Sequence, residues 1–407
     1  MPTIVQINSF DVGSTGTIAT QINLTAEKYG YKTYFFFGRF WRKKHPLVDN
    51  HIKIGNSFDC FFHLLLGRFF DAVGLGSVWS TKRMIKDLEK LSPDIIHLHN
   101  IHGYYMNYPI FFRYLKRKNI PVVWTLHDCW SFTGHCSHFD FTGCQKWIEQ
   151  CYKCPLKSDY PKSVWFDRSR KNYLLKKKYF TSLGDNLKIV TVSSWLRNLL
   201  KESFFYDSKA HLIHNGIDIE TFKPTLDTNL IERFHLQNKK VLLGVAAPWT
   251  ERKGLFDFYK LRELLSENYA IVLVGLSARQ LKDLPGGVIG LGRTESVKEL
   301  VEFYSIADMF INLTYEDNYP TVNLEAIACG TPVITFNTGG SSESVSEKTG
   351  FVVDKGDIAN VIKAIYKISK GDRIQYRNDC RKFAEHNFDK RLCFEKYVEL
   401  YNQIIAR

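Results

Sequence analysis

The sequence predicts an α/β protein made of two doubly wound domains. Three observations carry that expectation. The chain has 407 residues, too many for one ordinary core. Short apolar strand runs alternate with helical patterns, the order that builds a parallel sheet with helices on both faces. The alternation stops once, in the polar, turn-rich stretch HLIHNGIDIETFKP (211–224), and then restarts. Such a stretch reads as a linker. The expected division is a first domain over 1–214, a second over 215–386, and a C-terminal helix over 387–407 that crosses back to the first.

The first domain opens with the strand TIVQINS (3–9), the glycine turn DVGSTGT (11–17) and a helical pattern that closes at Gly30. Strands follow in KTYFFFG, DIIHLHN (94–100), PVVWTLHD (121–128) and LKIVTVSS (187–194), with helical patterns such as TKRMIKDLEKL between them. The second domain repeats the scheme in KVLLGVAA, YAIVLVG, GVIGLG, ADMFINLT, TPVITF and GFVVD, with a helix after KGLFDFYKLRELL.

Composition bounds the function classes. Forty-four per cent hydrophobic and 24% charged residues is ordinary globular usage. The opening MPTIVQINSF lacks the basic and apolar regions of a secretory signal. The most apolar run, CFFHLLLGRFFDAVGLG (60–76), is broken by His63, Arg68 and Asp71, short of the ~18 apolar residues of a membrane span. A cytoplasmic location is expected, with cysteines reduced or metal-bound. The net charge of +13 is uneven. Residues 1–216 hold 30 Lys/Arg against 16 Asp/Glu, and the remainder hold 25 against 26. Basic runs sit at Arg42–Lys44, Lys116–Lys118 and Lys176–Lys178. A basic half suits an anionic membrane face or a phosphorylated substrate, and it also serves as a solubilising surface. Nucleic acid is disfavoured, because the aromatics follow strand and helix periods and do not interleave with basic residues.

Open α/β sheets bind ligands at the carboxyl ends of their strands. Two such domains are expected to face each other across a cleft, and the polar motifs collect at strand ends. TYEDNYPTVNLEAIACGTPVITF (314–336) follows the strand DMFINL. It carries Glu316 and Asp317, then Pro320 at a helix start, then Glu325 about one turn inside. The free N–H groups of that helix start make an anion site, although acidic residues there also serve simply as caps. APWTERKGL (247–255) places Arg252 and Lys253 after the strand KVLLGVA, a fork and a point charge suited to a diphosphate. Gly13 and Gly16 allow close backbone approach after the first strand. The second strand ends without the acidic residue that a dinucleotide cofactor needs. His97, His99 and His127 stand at strand ends, where a buried structural role is the common one, and Asp128 adjoins them.

The stretch from Asp317 to Val333 resembles the Glu-x7-Glu signature of retaining GT-B glycosyltransferases of family four. Asp317 and Glu325 have the family's spacing, with Asp where Glu is usual. The resemblance implies that a carboxylate, Asp317 or the adjacent Glu316, and the backbone of Asn318, Tyr319 and Pro320 hold the donor sugar. It implies that Glu325 holds the ribose and that the Thr321 and Val322 amides hold the diphosphate. Lys253 and Arg252 would meet the leaving diphosphate. Gly13 and Gly16 would face the transferred group. His127, in TLHD, matches the family's Thr-x-His context near the donor, with Asp128 and His99 on the acceptor side. VSS (192–194), HNGID (214–218) and TGGSSE (338–343) fit the family's late first-domain strand, its linker and a loop facing the cleft.

The activity so implied is transfer of a sugar from a UDP- or GDP-linked donor to a hydroxyl, with retention. The basic first domain points to a lipid-linked saccharide acceptor at the inner face of a membrane, in cell-surface polysaccharide assembly. No Asp-x-Asp pair is present, so no catalytic metal is expected. A nucleotide-sugar epimerase and a non-catalytic nucleotide-sugar-binding module share this architecture and stand as alternatives.

One segment is left over. HDCWSFTGHCSHFDFTGCQKWIEQCYKCP (127–155) holds five of the nine cysteines. Cys136, Cys144, Cys151 and Cys154 end in a Cys-x2-Cys pair, which fits a structural zinc, with His135 and His138 as further donors. Buried free thiols packing as small apolar groups are the other reading.

Overall fold

The computed structural model describes residues 1–39, 50–225 and 229–406. The basic run Arg42–Lys44 lies outside the described residues. The chain divides into two compact units, Met1–His214 with Phe394–Arg407, and Asn215–Cys393.

The first unit is built on a seven-stranded parallel sheet: β1 Thr3–Phe10, β2 Lys32–Arg39, β3 His51–Lys53, β4 Ile95–Leu98, β5 Val122–Leu126, β6 Leu187–Thr191 and β7 His211–Leu212. Their order across the sheet is β3-β2-β1-β4-β5-β6-β7. The central strands are near-continuous apolar runs, as burial on both faces demands, and Ile4, Val5, Ile7, Phe35, Phe36, Ile95, Ile96, Val122 and Val123 are fully buried. Two differences from the sequence reading concern the edges. β3 adds a strand, and β7 takes the first two residues of the expected linker. Strands of two or three residues are too short to show a period and exist only through pairing with a neighbour.

The second unit has a six-stranded parallel sheet: β8 Lys240–Val245, β9 Tyr269–Val274, β10 Val288–Leu291, β11 Met309–Asn312, β12 Val333–Phe336 and β13 Gly350–Val353. Their order is β10-β9-β8-β11-β12-β13. The core again comes from strand residues, Leu242, Ile271, Leu273, Met309, Ile311, Ile334 and Phe336, under the helices Leu255–Leu264 and Ile358–Lys370.

Each sheet reverses its strand order once, between β1 and β4 and between β8 and β11. At such a switch point the loops leave in opposite directions and open a crevice. The helix Lys390–Ile405 returns most of its length to the first unit. Tyr401 Oη lies 2.6 Å from His97 Nδ1, Thr125 donates to Tyr397 Oη at 3.2 Å, and Tyr29 donates to Glu395 at 2.7 Å. His97 is therefore a packed core histidine. Its second nitrogen lies 2.8 Å from Thr125 Oγ1, and burial lowers its pKa to about 3. Among the described residues no helix is long and apolar enough to cross a membrane.

Candidate functional site

In the second unit the loops after β8 and β11 meet at the switch point. Gly254 makes the meeting possible: it has a φ of +76°, and any Cβ there would collide with the Leu313 carbonyl. Tyr315 N–H donates to the Arg252 carbonyl at 2.8 Å, and Arg252 Nη1 donates to the Glu316 carbonyl at 2.5 Å. Lys253 Nζ is ion-paired with Asp317 Oδ2. Both side chains keep about a fifth of their surface open, 22% and 21%. Behind them the Thr338–Glu343 loop supports the backbone. Gly340 N–H donates to the Asp317 carbonyl at 3.1 Å and Thr338 Oγ1 to the Thr314 carbonyl at 2.7 Å.

The two adjacent carboxylates differ in their surroundings. Glu316 is buried at 2% exposure, whereas Asp317 is partly open beside Lys253. Asp317 is thus the carboxylate available to a ligand. Asn318 N–H is tied to its Oδ1 at 2.9 Å, and the Tyr319 carbonyl accepts from Asn215 Nδ2 at 3.4 Å.

The helix Thr321–Ala328 starts directly after this loop. Pro320 is its N-cap, with extended backbone (φ −70°, ψ 117°), one place before the first-turn position read from the sequence. The cap is the last residue outside the helix, so Thr321 and Val322 begin the free N–H row. Asn323 pins the helix start. It accepts from Asn312 Nδ2 at 2.8 Å and donates to Ser344 Oγ at 2.9 Å and Ser341 Oγ at 3.2 Å. Glu325 accepts from Tyr304 Oη at 2.9 Å. Burial raises its pKa, against the hydrogen bonds from Tyr304 and Thr321. Tyr304 was not singled out from the sequence, where it sits in an ordinary helical pattern. One side of this site therefore carries Arg252 and Lys253, and the other offers helix N–H groups and two carboxylates. Polyanion binding next to a polyhydroxylated group is what such a set does best.

In the first unit the switch point gathers a second group. Gly13 has a φ of +78° with open space around a would-be Cβ, so a ligand can approach its backbone. Gly16 serves packing instead, since a Cβ there would meet the Asp11 carbonyl carbon at 2.7 Å. His99 and His127 lie just beyond β4 and β5. Their rings stack at 5.3 Å, with His99 Nδ1 3.0 Å from His127 Nε2 and His99 Nε2 2.5 Å from Gln6 Oε1. Gln6 Oε1 can only accept, so the proton of neutral His99 is assigned to Nε2. His127 then donates from Nε2 and keeps a lone pair on Nδ1. Burial lowers the His127 pKa to about 4, against the pull of Asp128, and holds His99 well below its ordinary value. Both rings are neutral near pH 7.

Asp128 is committed to a partner the sequence did not reveal. Its Oδ2 lies 2.8 Å from His102 Nε2, its Oδ1 accepts the Trp130 N–H at 2.9 Å, and Tyr160 Oη lies 3.1 Å from His102 Nδ1. Burial alone would raise the Asp128 carboxyl, but His102 and the Trp130 N–H outweigh it and hold the pKa at about 2. His102 sits in the loop after β4, where no period marks it. Its only sequence signal is being a polar residue soon after a strand end.

The cysteine segment belongs to a loop over 129–168 with two short 3-10 turns and no other helix or strand. Lys176, read from the sequence as part of a basic surface run, is instead buried under this loop at 1% exposure. Its Nζ donates to the Trp130 and Thr133 carbonyls at 2.6 and 2.9 Å and sits 3.5 Å from the centre of the Trp130 ring. The loop's irregular backbone needs those donors. Cys136 and Cys151 are buried, and Cys144 and Cys154 pack beside them. All nine cysteines are free thiols. Among the described residues no three His, Cys, Asp or Glu side chains are arranged to hold a metal ion.

Comparison with known proteins gives concordant matches in both halves. Residues 61–221 match the model "Glycosyltransferase Family 4", and residues 228–387 match "Glycosyl transferases group 1". The chain is 23% identical over 407 residues to the Escherichia coli K12 protein named "Putative colanic acid biosynthesis glycosyl transferase WcaC", covering 96% of this chain and 97% of that one. It is 25% identical over 203 residues to N,N'-diacetylbacillosaminyl-diphospho-undecaprenol alpha-1,3-N-acetylgalactosaminyltransferase of Campylobacter jejuni, covering 47% of this chain and 53% of that one. Among solved structures, sucrose-phosphate synthase from Thermosynechococcus elongatus superposes with a TM-score of 0.72 at 15% identity over the whole of both chains. Anabaena Alr3699/HepE in complex with UDP-glucose superposes with 0.68 at 15% identity, covering 98% and 99%. At those identities the structural likeness shows the fold.

Proposed function

The chain belongs to the GT-B glycosyltransferases, and on that premise we propose that it transfers a hexose-type sugar from a nucleoside diphosphate sugar to an acceptor hydroxyl with retention at the anomeric carbon. The observation that carries the reading is the second unit's switch point, where the Lys253–Asp317 pair lies beside the start of the helix Thr321–Ala328. Lys253, Arg252 and the Thr321 and Val322 N–H groups would bind the diphosphate. Glu325, oriented by Tyr304, would bind the ribose, and Asp317 the sugar hydroxyls. On donor binding Lys253 would turn from Asp317 to the diphosphate, freeing the carboxylate for the sugar. The bond from C1 to the diphosphate oxygen breaks as the acceptor oxygen bonds to C1 from the same face. The acceptor's proton passes to the departing diphosphate. Charge grows on that group in the transition state, which is where fixed cations and N–H donors act most strongly. In the first unit, Gly13 would lie against the transferred group. Neutral His127 would act as a hydrogen-bonding group held by His99 and Gln6, and Asp128 would act with His102 on the acceptor side.

A donor panel tests this. The protein is incubated with UDP-, GDP- and ADP-sugars, with and without lipid-linked saccharide, and free nucleotide and anomeric configuration are measured. Acceptor-dependent release of one nucleotide with a retained linkage is expected. Free product sugar without acceptor would instead identify an epimerase, and binding without turnover a non-catalytic module.

The acceptor is read as lipid-linked, in line with the diphospho-undecaprenol acceptor in the name of the Campylobacter relative. The first unit supports this with an outward aromatic face. The helix Ser57–Phe70 exposes Phe58, Phe61 and Phe62 at 77%, 53% and 62%, and Trp79 and Trp165 are exposed at 79% and 65%. The segment around Trp165 docks on that helix, with Val164 N–H on the Arg68 carbonyl at 2.7 Å and the Phe69 and Trp165 rings 4.6 Å apart. Exposed aromatics on a basic unit suit the interface of an anionic bilayer. Co-sedimentation is expected with phosphatidylglycerol vesicles and not with phosphatidylcholine vesicles, and a Phe58→Ser, Phe61→Ser, Phe62→Ser variant should bind at least tenfold more weakly. Equal binding by that variant would exclude this face.

A further inference from the structure

We propose that Arg39 binds the phosphate of a phosphorylated, lipid-linked acceptor at the strand ends of the first unit. The proposal rests on the transfer reading above. It adds the charged group that the acceptor must carry and the residue that recognises it.

Arg39 closes β2, and its register partner in β1 is Phe10. It therefore stands at the carboxyl edge of the sheet, one strand from the switch point. Its guanidinium carbon lies 4.6 Å from the centre of the Phe10 ring and 5.4 Å from that of Tyr104. Ring faces attract a cation but bring no lone pairs to its five N–H donors. Nε is buried without a hydrogen-bond partner. Among the described residues no ion pair or hydrogen bond joins the guanidinium to another group. A cation out of water is ordinarily paired. Asp128, at the same edge of the sheet, is already committed to His102 and the Trp130 N–H.

The loop after β4 makes room for this cation. Gly103 has a φ of +132°, and a Cβ there would lie 2.8 Å from Ser9 Oγ and 3.5 Å from Arg39 Nη2. Ser9 Oγ donates to the Asn100 carbonyl at 2.8 Å and to the His102 carbonyl, which fixes that loop on the end of β1. Arg39 thus adjoins the residue after His102, whose ring carries Asp128 and Tyr160.

Arg39 also borders the helix Ser57–Phe70. Gly67 of that helix lies on Tyr104, where a Cβ would meet Cε1 at 2.7 Å, and Cys60 Sγ donates to the Gly38 carbonyl at 3.7 Å. The unpaired cation therefore stands between a helix with exposed phenylalanines and the His102–Asp128 pair. A lipid-linked acceptor has the same order: an alkyl chain, a phosphate, then the saccharide. An arginine fork takes two phosphate oxygens at once, which suits that middle group.

The test measures binding to the full chain by calorimetry, with farnesyl diphosphate as the probe, farnesol as its uncharged counterpart and no donor sugar. Farnesyl diphosphate is expected to bind at least tenfold more tightly than farnesol. Arg39→Gln should weaken farnesyl diphosphate by about 10- to 100-fold and leave farnesol unchanged. Arg39→Lys should recover part of the loss. Arg117→Gln, which removes the same charge from an exposed helix end, should bind as the unaltered chain does. A second measurement uses the unaltered chain and so stands even if the variants misfold. Farnesyl diphosphate should protect Arg39 from phenylglyoxal, read by peptide mass, and farnesol should not. Absence of that protection, or a folded Arg39→Gln that binds farnesyl diphosphate within twofold of the unaltered chain, would overturn the proposal. So would binding that is lost in Lys253→Ala and kept in Arg39→Gln, which would place the diphosphate in the second unit. Phosphatidylglycerol vesicles are the third arm. If Arg39→Gln weakens vesicle binding and not farnesyl diphosphate, Arg39 contacts bilayer headgroups and the acceptor assignment falls. Because no donor is present, failure of sugar transfer in the donor panel and failure of phosphate binding here are separate results.

Discussion

Lys253→Ala is expected to lower kcat/KM for sugar transfer by about 100- to 1,000-fold, a transition-state loss of roughly 3–4 kcal/mol. The lysine is held by Asp317 at the partly open switch point. The proposed chemistry places growing negative charge on the diphosphate there, and a compact ammonium is the group that meets it. Lys253→Arg should recover only part of the loss, because a guanidinium fork is a different shape from a point charge. The pair is about four-fifths covered, so some loss of stability is expected as well, and the rate is read at a temperature where the melt shows the variant folded. The measurements are initial rates on the productive donor and a thermal melt. A rate within threefold of the unaltered protein would remove Lys253 from the reaction.

Acid should destabilise the first unit sharply. Burial lowers His63 and His97 to about 3 and His127 to about 4, and it places His99 well below its ordinary value. Well above pH 6.5 these rings are neutral in both the folded and unfolded chain and contribute no pH dependence. Below it the unfolded chain takes up protons that the folded chain refuses, so stability falls with pH until the folded values are reached. One pH unit below 6.5, each ring that stays neutral in the fold costs on the order of 1 kcal/mol, so the four together cost several kcal/mol. His135 opposes this, because Asp71 holds its pKa up against burial and its contribution is greatest in acid. Domains are stable by only about 5–15 kcal/mol, so the loss is a large fraction of the total. Urea melts at pH 7.5 and 5.5, followed by tryptophan fluorescence, should show a markedly lower midpoint in acid. Among the described residues, six of the seven tryptophans lie in the first unit, so the signal reports it. Equal midpoints would show that these rings protonate in the fold.

The parallel sheets were legible because central strands buried on both faces are largely apolar along their length, and VVWTL and IVLV show it without ambiguity. The motif at 314–336 was legible because its residues are close in sequence and follow a strand end. Legibility stopped where the fold brings distant residues together. Nothing in TYEDN tells that Glu316 turns inward and Asp317 outward. That difference comes from the Arg252 bond to the Glu316 carbonyl and the Lys253 pair, 64 residues away. Lys176 reads as one of three surface lysines until the loop that covers it is seen. His102 became visible only through Asp128, which the chain places 26 residues further on.

The division of the chain also sets an order of events. Phe394–Arg407 belongs to the first unit, although Asn215–Cys393 is synthesised before it. At about 5–20 residues per second, a ribosome spends on the order of ten to forty seconds on that interval. Throughout it, the hydroxyls of Tyr397 and Tyr401 that close over His97 and Thr125 do not yet exist. The second unit can complete its sheet as it emerges, while the first waits, open along one helix, until Phe394–Arg407 has been made.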